Sequence, residues 1–161
     1  MSEASMLPDT AIATVNVGAI VWVEHGEKVL LVRAPGSAYP LPPGGHMEGG
    51  EGPEEAALRE LFEETGLVPD GPLRLVGAFR ARRGEQQLLN LTYACTVSST
   101  DVLLSHEHDH FEWVDPVEYR DLAAAVVPTI ERDDYRAIGE NLLRQLDALL
   151  ASRAQPGRST L

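Results

Sequence analysis

The segment from Gly45 to Leu67, GHMEGGEGPEEAALRELFEETGL, constrains the fold of this chain more than any other. Pro53 suits the first position of a helix, and Gly66 can adopt the left-handed conformation that ends one. These signals predict a helix from about Pro53 to Thr65. The glycine-rich stretch before it allows a backbone oxygen to approach a metal ion or a phosphate closely. The segment therefore predicts a loop, a short helix and a second loop.

Three glutamates of this helix are spaced i, i+3 and i+4, so they share one face over about 100° of arc. They are Glu60, Glu63 and Glu64. The opposite side is expected to carry Leu58, Leu61, Phe62 and Thr65. Like charges crowded beside a buried face raise each other's pKa or cost stability unless a cation neutralises them. Their hard oxygen atoms suit Mg²⁺, with Mn²⁺ as a possible substitute.

A solvated acidic helix is the alternative interpretation, since the chain has a net charge of −12 and glutamate forms helices well. We favour a metal site because a solvated face has no need of Gly45, Arg59 and Gly66 at these offsets. The negative charge also argues against binding to a nucleic acid polymer, which normally requires clustered lysine and arginine. A small anionic substrate is therefore expected as the partner.

The same run resembles the Nudix box, which is Gly, five residues, Glu, seven residues, Arg-Glu-aliphatic, any residue, Glu-Glu, any residue, Gly-aliphatic. Every fixed position is filled, by Gly45, Glu51, Arg59, Glu60, Leu61, Glu63, Glu64, Gly66 and Leu67. The resemblance implies an α/β fold, a Nudix-type α/β/α sandwich with a mixed β-sheet and a catalytic loop-helix-loop. It also implies a MutT-like, Mg²⁺-dependent hydrolase of a phosphoanhydride bond in a nucleoside diphosphate linked to another moiety, with a nucleoside triphosphate or related small nucleotide favoured. The alternative is a non-hydrolytic ligand-binding or regulatory Nudix module, against which the intact carboxylate set argues.

By this resemblance, four residues are candidate metal ligands: Gly45 through its carbonyl, Glu60, Glu63 and Glu64. Glu60 is also a candidate general base. Arg59 lies about 100° around the helix from Glu60, so it is expected to orient Glu60 or Glu51 rather than to protonate a leaving group. A solvated helix arginine is the alternative for Arg59.

A second acidic segment, SHEHDHFEWV, spans Ser105 to Val114. Nudix members often supply a further metal-binding or basic glutamate from a loop before a Trp-containing strand, and we select Glu107. Glu112 and Asp109 remain alternatives, as does an ordinary solvated loop. Three alternating histidines could form a zinc site or respond to pH, although loop histidines are favoured because no cysteine is near. They are His106, His108 and His110.

Three arginines form a dense basic patch: Arg80, Arg82 and Arg83. Arg80 and Arg82 are candidate substrate-binding residues, since a strand end near the mouth of a sheet could present them to a phosphate or a base. The alternative is a charged hairpin that resists edge pairing.

The remaining pattern predicts strands, a helix and one domain. Strands are expected over Ile12–Val23, Lys28–Arg33, Leu73–Arg80, Gln87–Val97 and Phe111–Val114, with a charged turn at 82–85. A polar, proline-containing link is expected to lead to a helix over Tyr135–Leu150. Its apolar side should dock on the sheet, with a dimer interface as the alternative, and it carries Ile138, Leu142, Leu146 and Leu149.

The domain is expected to span residues 11–151, with a flexible N-terminus at 1–10 and a disordered tail at 152–161. Cys95 stands alone in an apolar run, which favours a packed thiol. No signal peptide or membrane span is apparent, so the cytoplasm is the expected compartment. A homodimer is possible.

Overall fold

The computed structural model describes residues 14–37 and 39–153, so the predicted flexible N-terminus (1–10) and most of the predicted tail (154–161) lie outside the described residues. The strands are β1 (Asn16–His25), β2 (Lys28–Arg33), β3 (Gly44–His46), β4 (Arg74–Arg83), β5 (Gln86–Thr96) and β6 (His110–Val114). The helices are α1 (Pro53–Thr65), α2 (Pro116–Val126) and α3 (Asp133–Arg153), with a 3₁₀ turn at Val127–Thr129 after α2.

The strands form a mixed sheet in the order β4-β5-β1-β2-β6, with β3 also paired to β1. β1 and β5 run parallel, and the other pairs are antiparallel. β3 pairs with β1 between Gly18 and Ile20, whereas β2 pairs with the end of β1 at Glu24 and His25. The short β3 therefore enters the sheet beside the middle of β1 and leads directly towards α1.

Alternate side chains of β1 point to opposite faces of the sheet, and each face is covered by helix. Ala19, Val21 and Val23 pack in a core with Leu61 of α1. Trp22 packs in a second core with residues of α2 and α3, namely Tyr119, Leu142, Leu146 and Leu149. The predicted α/β/α sandwich with a mixed sheet is confirmed.

Helix α1 begins and ends as the sequence predicts. Pro53 is its first residue, and Gly66 follows its last with φ 73° and donates its N–H to the carbonyl of Phe62. The predicted buried face was partly wrong, because Leu58 is 43% exposed and Phe62 is 60% exposed. The face that packs on the sheet instead follows Ala57, Leu61 and Glu64, and Leu58 and Phe62 lie about 100° further around the helix.

The hairpin between β4 and β5 turns later than predicted. β4 continues to Arg83, so Arg82 and Arg83 are strand residues and the turn consists of Gly84 and Glu85. Gly84 has φ 58°, a left-handed conformation that glycine adopts without strain. Because the cross-strand pairing continues to Arg83 and Gln86, two residues suffice for the connection.

Helix α2 was missed, since residues 115–134 were interpreted as a polar link. The Asp115 carboxylate caps the helix by accepting hydrogen bonds from the backbone N–H groups of Val117 and Glu118. Pro116 occupies the first helical position, which its fixed φ favours. Tyr119 of this helix is buried in the second core.

Helix α3 packs against the sheet as predicted and is longer than predicted. It includes Ser152 and Arg153, which the predicted tail at 152–161 had included. Arg153 Nε donates to Glu24 Oε1 at 2.8 Å, and this ion pair holds the last turn against β1. None of the helices in the described ranges is long and apolar enough to cross a membrane.

The lone cysteine lies inside the core, as predicted. Cys95 is 4% exposed among the residues that pack beneath α1. Burial raises the pKa of its thiol to about 12, so the thiol stays protonated near neutral pH. Cys95 is therefore a packing residue.

Candidate functional site

Two consecutive glycines of β3 bring the backbone against the carboxylates of α1. The Gly44 N–H donates to Glu64 Oε2 at 3.2 Å. A Cβ on Gly44 would lie 2.5 Å from the carbonyl oxygen of Ala19, and one on Gly45 would lie 2.4 Å from the carboxyl carbon of Glu60. Since both distances are shorter than real Cβ contacts, glycine allows β3 to fit between β1 and α1.

The Glu64 carboxyl group is the most buried acid of the site, with an exposure of 4%. Burial raises its pKa to about 8, although the hydrogen bond from Gly44 opposes this. The negative charges of Glu60 and Glu107 raise the pKa further. Among the described residues no lysine or arginine pairs with Glu64. Burial therefore keeps Glu64 mostly protonated near neutral pH unless a cation binds beside it.

The loop before β6 closes over Glu64. Ser105 N–H donates to the Glu64 carbonyl at 3.3 Å. One ligand-type atom each from Glu64, Glu107 and His108 lies within 4.8 Å of the other two. Buried Nδ1 of His108 has no hydrogen-bond partner among the described residues, and burial lowers the pKa of this imidazole. The structure thus brings the selected Glu107 close to Glu64 of α1.

Arg59 forms ion pairs with three other carboxylates of the Nudix box, those of Glu51, Glu60 and Glu63. Its Nε and Nη2 donate to the two oxygens of Glu51 at 3.0 and 2.7 Å, which is a bidentate pair. Its Nη1 donates to Glu60 Oε1 at 3.0 Å and Glu63 Oε2 at 3.2 Å, and its Nη2 donates to the His46 carbonyl at 3.2 Å. The hydrogen bond with Arg59 holds the pKa of Glu51 below its usual value. Arg59 contacts both carboxylates that it was expected to orient.

The three glutamates of α1 occupy different environments. The Glu64 carboxyl group is buried, the Glu60 side chain is 16% exposed, and the Glu63 side chain is 55% exposed. Glu63 faces solvent in an ion pair with Arg59, and both Glu60 and Glu63 lie outside the close group of Glu64, Glu107 and His108. The three glutamates do lie on neighbouring positions of α1, as their spacing predicts. The rest of the protein covers the side of this acidic face that carries Glu64 and leaves Glu63 in solvent.

The alternatives to Glu107 lie elsewhere. Glu112 lines a different cavity with Tyr39 and Tyr119, on the face of the sheet that α2 covers. Asp109 donates its backbone N–H to the carbonyl of Arg33, where β6 begins to pair with β2. Neither belongs to the close group around Glu64.

The three alternating histidines do not converge in the described part of the chain. His106 and His110 are exposed and lie outside the group that contains His108. The histidines lie in different local structures, since His106 is in a turn and His110 begins β6. A zinc site made from all three histidines is therefore not formed.

Arg80 and Arg82 are exposed residues of β4. Ala81 between them lines a cavity beside Gly44, and alternate strand residues face opposite sides, so both arginines point away from that cavity. The Arg80 guanidinium donates to Gln87 Oε1 across the hairpin. This pairing agrees with the charged-hairpin alternative, and a substrate-binding role for Arg80 and Arg82 stays a prediction.

A set of carboxamides beside the same glycines was missed by the sequence analysis. Asn90, Asn141 and Gln145 line a cavity of about 210 Å³ whose wall includes Gly44 and Gly45. Two of them are polar residues one turn apart on the buried side of α3, where leucines otherwise predominate. Two polar residues spaced i, i+4 within an otherwise apolar helix face were the signal that could have indicated this network, because buried polar side chains require hydrogen-bond partners.

Comparison with known proteins agrees with this geometry. An RNA pyrophosphohydrolase of Stenotrophomonas maltophilia is 36% identical over 127 residues, covering 65% of this chain and 61% of the relative. The chain thus spans about three fifths of the length of the first curated relatives that it matches.

Solved structures share the fold. A NUDIX hydrolase from Nitrosomonas europaea superposes with a TM-score of 0.64 at 24% identity, covering 86% of this chain and 90% of that one. A C. elegans Ap4A hydrolase superposes with a TM-score of 0.61 at 25% identity, covering 86% and 99%. The model of the NUDIX domain matches residues 13–133, which is most of the sequence. The chain belongs to the Nudix family.

Proposed function

We propose that this protein is a divalent-metal-dependent hydrolase that cleaves a pyrophosphate bond in a small nucleotide. One observation carries the proposal: the buried carboxyl group of Glu64 lies beside Glu60 and Glu107, against the backbone of Gly44 and Gly45. A cluster of this charge and composition suits a site where a cation and a phosphoanhydride meet. Membership of the Nudix family supports the same reaction.

The chemistry of the donor set fits Mg²⁺, with Mn²⁺ as a substitute. Carboxylate and carbonyl oxygens are the ligands that Mg²⁺ prefers, and burial raises the pKa of Glu64, so a bound cation would be needed to hold this carboxyl group ionised near neutral pH. The proposed ligands are Gly45 through its carbonyl, Glu60, Glu63 and Glu64, with Glu107 as a further candidate. Glu64 has the strongest geometric support, and the solvent-facing Glu63 has the weakest.

A bound Mg²⁺ supplies charge stabilisation at phosphate oxygens and a lower pKa for coordinated water. The residues of the chain supply the rest of the mechanism. The Gly44 N–H fixes the Glu64 carboxyl group, and Arg59 fixes Glu60. Glu60 and Glu107 flank Glu64 and are the two candidates to accept the proton of the attacking water.

Arg59 acts in this proposal as a positioning residue. Its guanidinium is fully engaged with carboxylates and a backbone carbonyl, so it holds the loop before α1 against the helix. Glu51 is the main anchor, because both of its oxygens accept hydrogen bonds from Arg59. Planar bidentate pairing of this kind gives geometric specificity that lysine cannot reproduce.

A small nucleotide is the proposed substrate, in keeping with the net charge of −12. Removal of pyrophosphate from the 5′ end of an RNA is a second candidate, supported by the name of the 36% identical relative. Both reactions use the same phosphoanhydride chemistry, so the carboxylate cluster serves either. A cytoplasmic location and a homodimer remain predictions.

A substrate panel tests the proposal. Purified protein with Mg²⁺ is offered the nucleoside triphosphates, a dinucleoside polyphosphate and a 5′-triphosphorylated RNA oligonucleotide, and released phosphate and pyrophosphate are measured. We expect turnover that EDTA abolishes and that Mg²⁺ or Mn²⁺ restores. Reaction in ¹⁸O-labelled water identifies the phosphorus that is attacked. Binding without turnover would support a ligand-binding module, and absence of both turnover and a Mg²⁺-dependent thermal shift would overturn the proposal.

A further inference from the structure

One histidine of the loop before β6 lies beside the buried acid of α1. A ligand-type atom from each of Glu64, Glu107 and His108 lies within 4.8 Å of the other two. The ligands of a Mg²⁺ or Zn²⁺ ion lie about 2.0–2.1 Å from it, so any two of them are at most about 4.2 Å apart. The three side chains therefore have nearly the spacing that one shared ion requires.

This loop is fixed to the backbone of the same glutamate that its side chains approach. The Ser105 N–H donates to the Glu64 carbonyl at 3.3 Å, and the His108 N–H donates to the Ser105 carbonyl at 3.2 Å. The Glu107 N–H donates to Ser105 Oγ at 3.3 Å. The residue after His108 donates its N–H to the Arg33 carbonyl of β2 at 3.0 Å. Hydrogen bonds on both sides thus hold Glu107 and His108 against α1.

The His108 ring has a nitrogen that the described residues leave without a partner. Its Nδ1 is buried and makes no hydrogen bond to them. Such a group in a native protein calls for an explanation, and a neutral imidazole nitrogen is a common metal ligand. His108 also borders a cavity of about 150 Å³ together with Glu64 and Gly44. Since a water occupies about 30 Å³ in the liquid, an ion with some of its waters can reach these side chains through this cavity.

We propose that Glu64, Glu107 and His108 bind a divalent transition-metal ion such as Zn²⁺ more tightly than they bind Mg²⁺. This inference rests on the proposed function and adds which class of cation the site selects. Carboxylate oxygens accept either class of ion, whereas an imidazole nitrogen favours Zn²⁺ and its neighbours over Mg²⁺. The Mg²⁺ ligands proposed above are oxygen atoms only, so His108 is the residue that decides the preference.

Isothermal titration calorimetry of EDTA-treated protein with Zn²⁺ and with Mg²⁺, without nucleotide, tests this preference. His108→Ala is the test variant, and His106→Ala is the matched control, because His106 is an exposed histidine of the same loop outside the close group. We expect His108→Ala to raise the Kd for Zn²⁺ about 100-fold or more, since loss of a group that only orients a ligand already costs about 10- to 100-fold. The Kd for Mg²⁺ should change about twofold or less, because Mg²⁺ binds through oxygen. His106→Ala should leave both constants unchanged.

A second measurement uses the wild-type protein, so it does not depend on the folding of a variant. The chain has five histidines, and ¹⁵N NMR of histidine-labelled protein reports their ring nitrogens separately. One equivalent of Zn²⁺ should shift a ring nitrogen of His108 more than those of the other four, with each ring assigned through its own backbone signals. One equivalent of Mg²⁺ should leave all five rings unshifted.

The outcomes separate this inference from the proposed function. A Zn²⁺ affinity that falls in His108→Ala and persists in His106→Ala, with the His108 nitrogen shifted, supports the inference. Equal Zn²⁺ affinity in all three proteins, equal loss in both variants, or Zn²⁺ shifts confined to the other histidines would mean surface zinc only, and this overturns the inference while the proposed function stands. Protein that binds Zn²⁺ through His108 but hydrolyses nothing in the substrate panel supports the inference and overturns the proposed function.

Discussion

The carboxylate cluster on the α1 side of Gly44 and the amide cavity on its α3 side differ in how far apart their residues lie in the sequence. On the α1 side, the carboxylates and their arginine come mostly from one run of sequence, and Arg59 pairs with Glu51 only eight positions away. On the α3 side, Asn90 and Asn141 are 51 positions apart and meet only because α3 packs on the sheet. The first site is local and charged, whereas the second is long-range and neutral. The carboxylate site is therefore set mostly by one segment of the sequence, whereas the amide cavity depends on how distant parts of the chain pack together.

The two sides also leave different needs unmet. The carboxylates around Glu64 carry excess negative charge, which a cation would balance. Among the described residues, the amides leave one buried neutral oxygen, Gln145 Oε1, without a hydrogen-bond partner. Substitutions on the α1 side should therefore stop the reaction, whereas a substitution on the α3 side that removes this oxygen should change the stability of the protein only a little.

The largest effect on kcat is expected when the adjacent acids Glu63 and Glu64 are substituted one at a time. Glu64→Gln should lower kcat about 10³-fold, because several kcal/mol of transition-state charge stabilisation depend on this buried group. Glu63→Gln should cost about tenfold or less, since the residue loses only an exposed ion pair with Arg59. Steady-state kinetics with Mg²⁺ on the best substrate of the panel measure both values.

Glu54→Gln on the exposed first turn of α1 is the matched control and should retain wild-type kcat. Comparable losses in Glu63→Gln and Glu64→Gln would contradict the division between a buried and a solvent-facing acid. Circular dichroism on each variant separates loss of chemistry from loss of fold.

The contrast between the two sides also explains which parts of the molecule were predictable. The ends of α1 and the placement of Arg59 near Glu51 follow from local spacing, because helix geometry relates neighbours directly. The buried face of α1 did not follow, since Leu58 and Phe62 are apolar yet exposed. Composition shows that a helix has an apolar side, but the sheet that it meets decides which residues are covered.

The missed elements have different causes. Helix α2 was recognisable, because Asp115 and Pro116 form a local start signal that was outweighed by the polar composition around it. The amide cavity was not recognisable as a site, because Asn90 is on β5 and Gln145 is on α3. Only the pairing of β5 with β1 and the docking of α3 bring these residues to Gly44 and Gly45.

An effect of intermediate size is expected on the free energy of unfolding of the metal-free protein, which should fall as the pH is raised. Glu64 has a folded-state pKa of about 8, above its ordinary value of 4.5. The folded state thus holds this proton more tightly, so its stabilising contribution is complete below pH 4.5 and is lost as pH rises through 8. The total loss is on the order of 5 kcal/mol. Urea denaturation in EDTA measures the free energy of unfolding across this range.

Glu64→Gln is the control for that titration, because its neutral amide resembles the protonated acid at every pH. The variant should match the wild-type stability near pH 4.5 and exceed it near pH 8 in EDTA. Equal pH dependence in the two proteins would mean that other groups, and not the buried acid of α1, govern the alkaline loss.

The smallest effect is expected on the α3 side, from Gln145→Leu in the absence of substrate. The variant loses the hydrogen bond from Gln145 Nε2 to Asn141 Oδ1, worth about 1 kcal/mol, but it also removes a buried acceptor that lacks a partner among the described residues. Because these terms oppose each other, the free energy of unfolding should change by about 1 kcal/mol or less. Urea denaturation at pH 7 measures it, with Gln86→Leu as the exposed control. A loss of about 3 kcal/mol or more would mean that Gln145 Oε1 already has a partner in the free protein, and the amide cavity would then be a structural joint between α3 and the sheet.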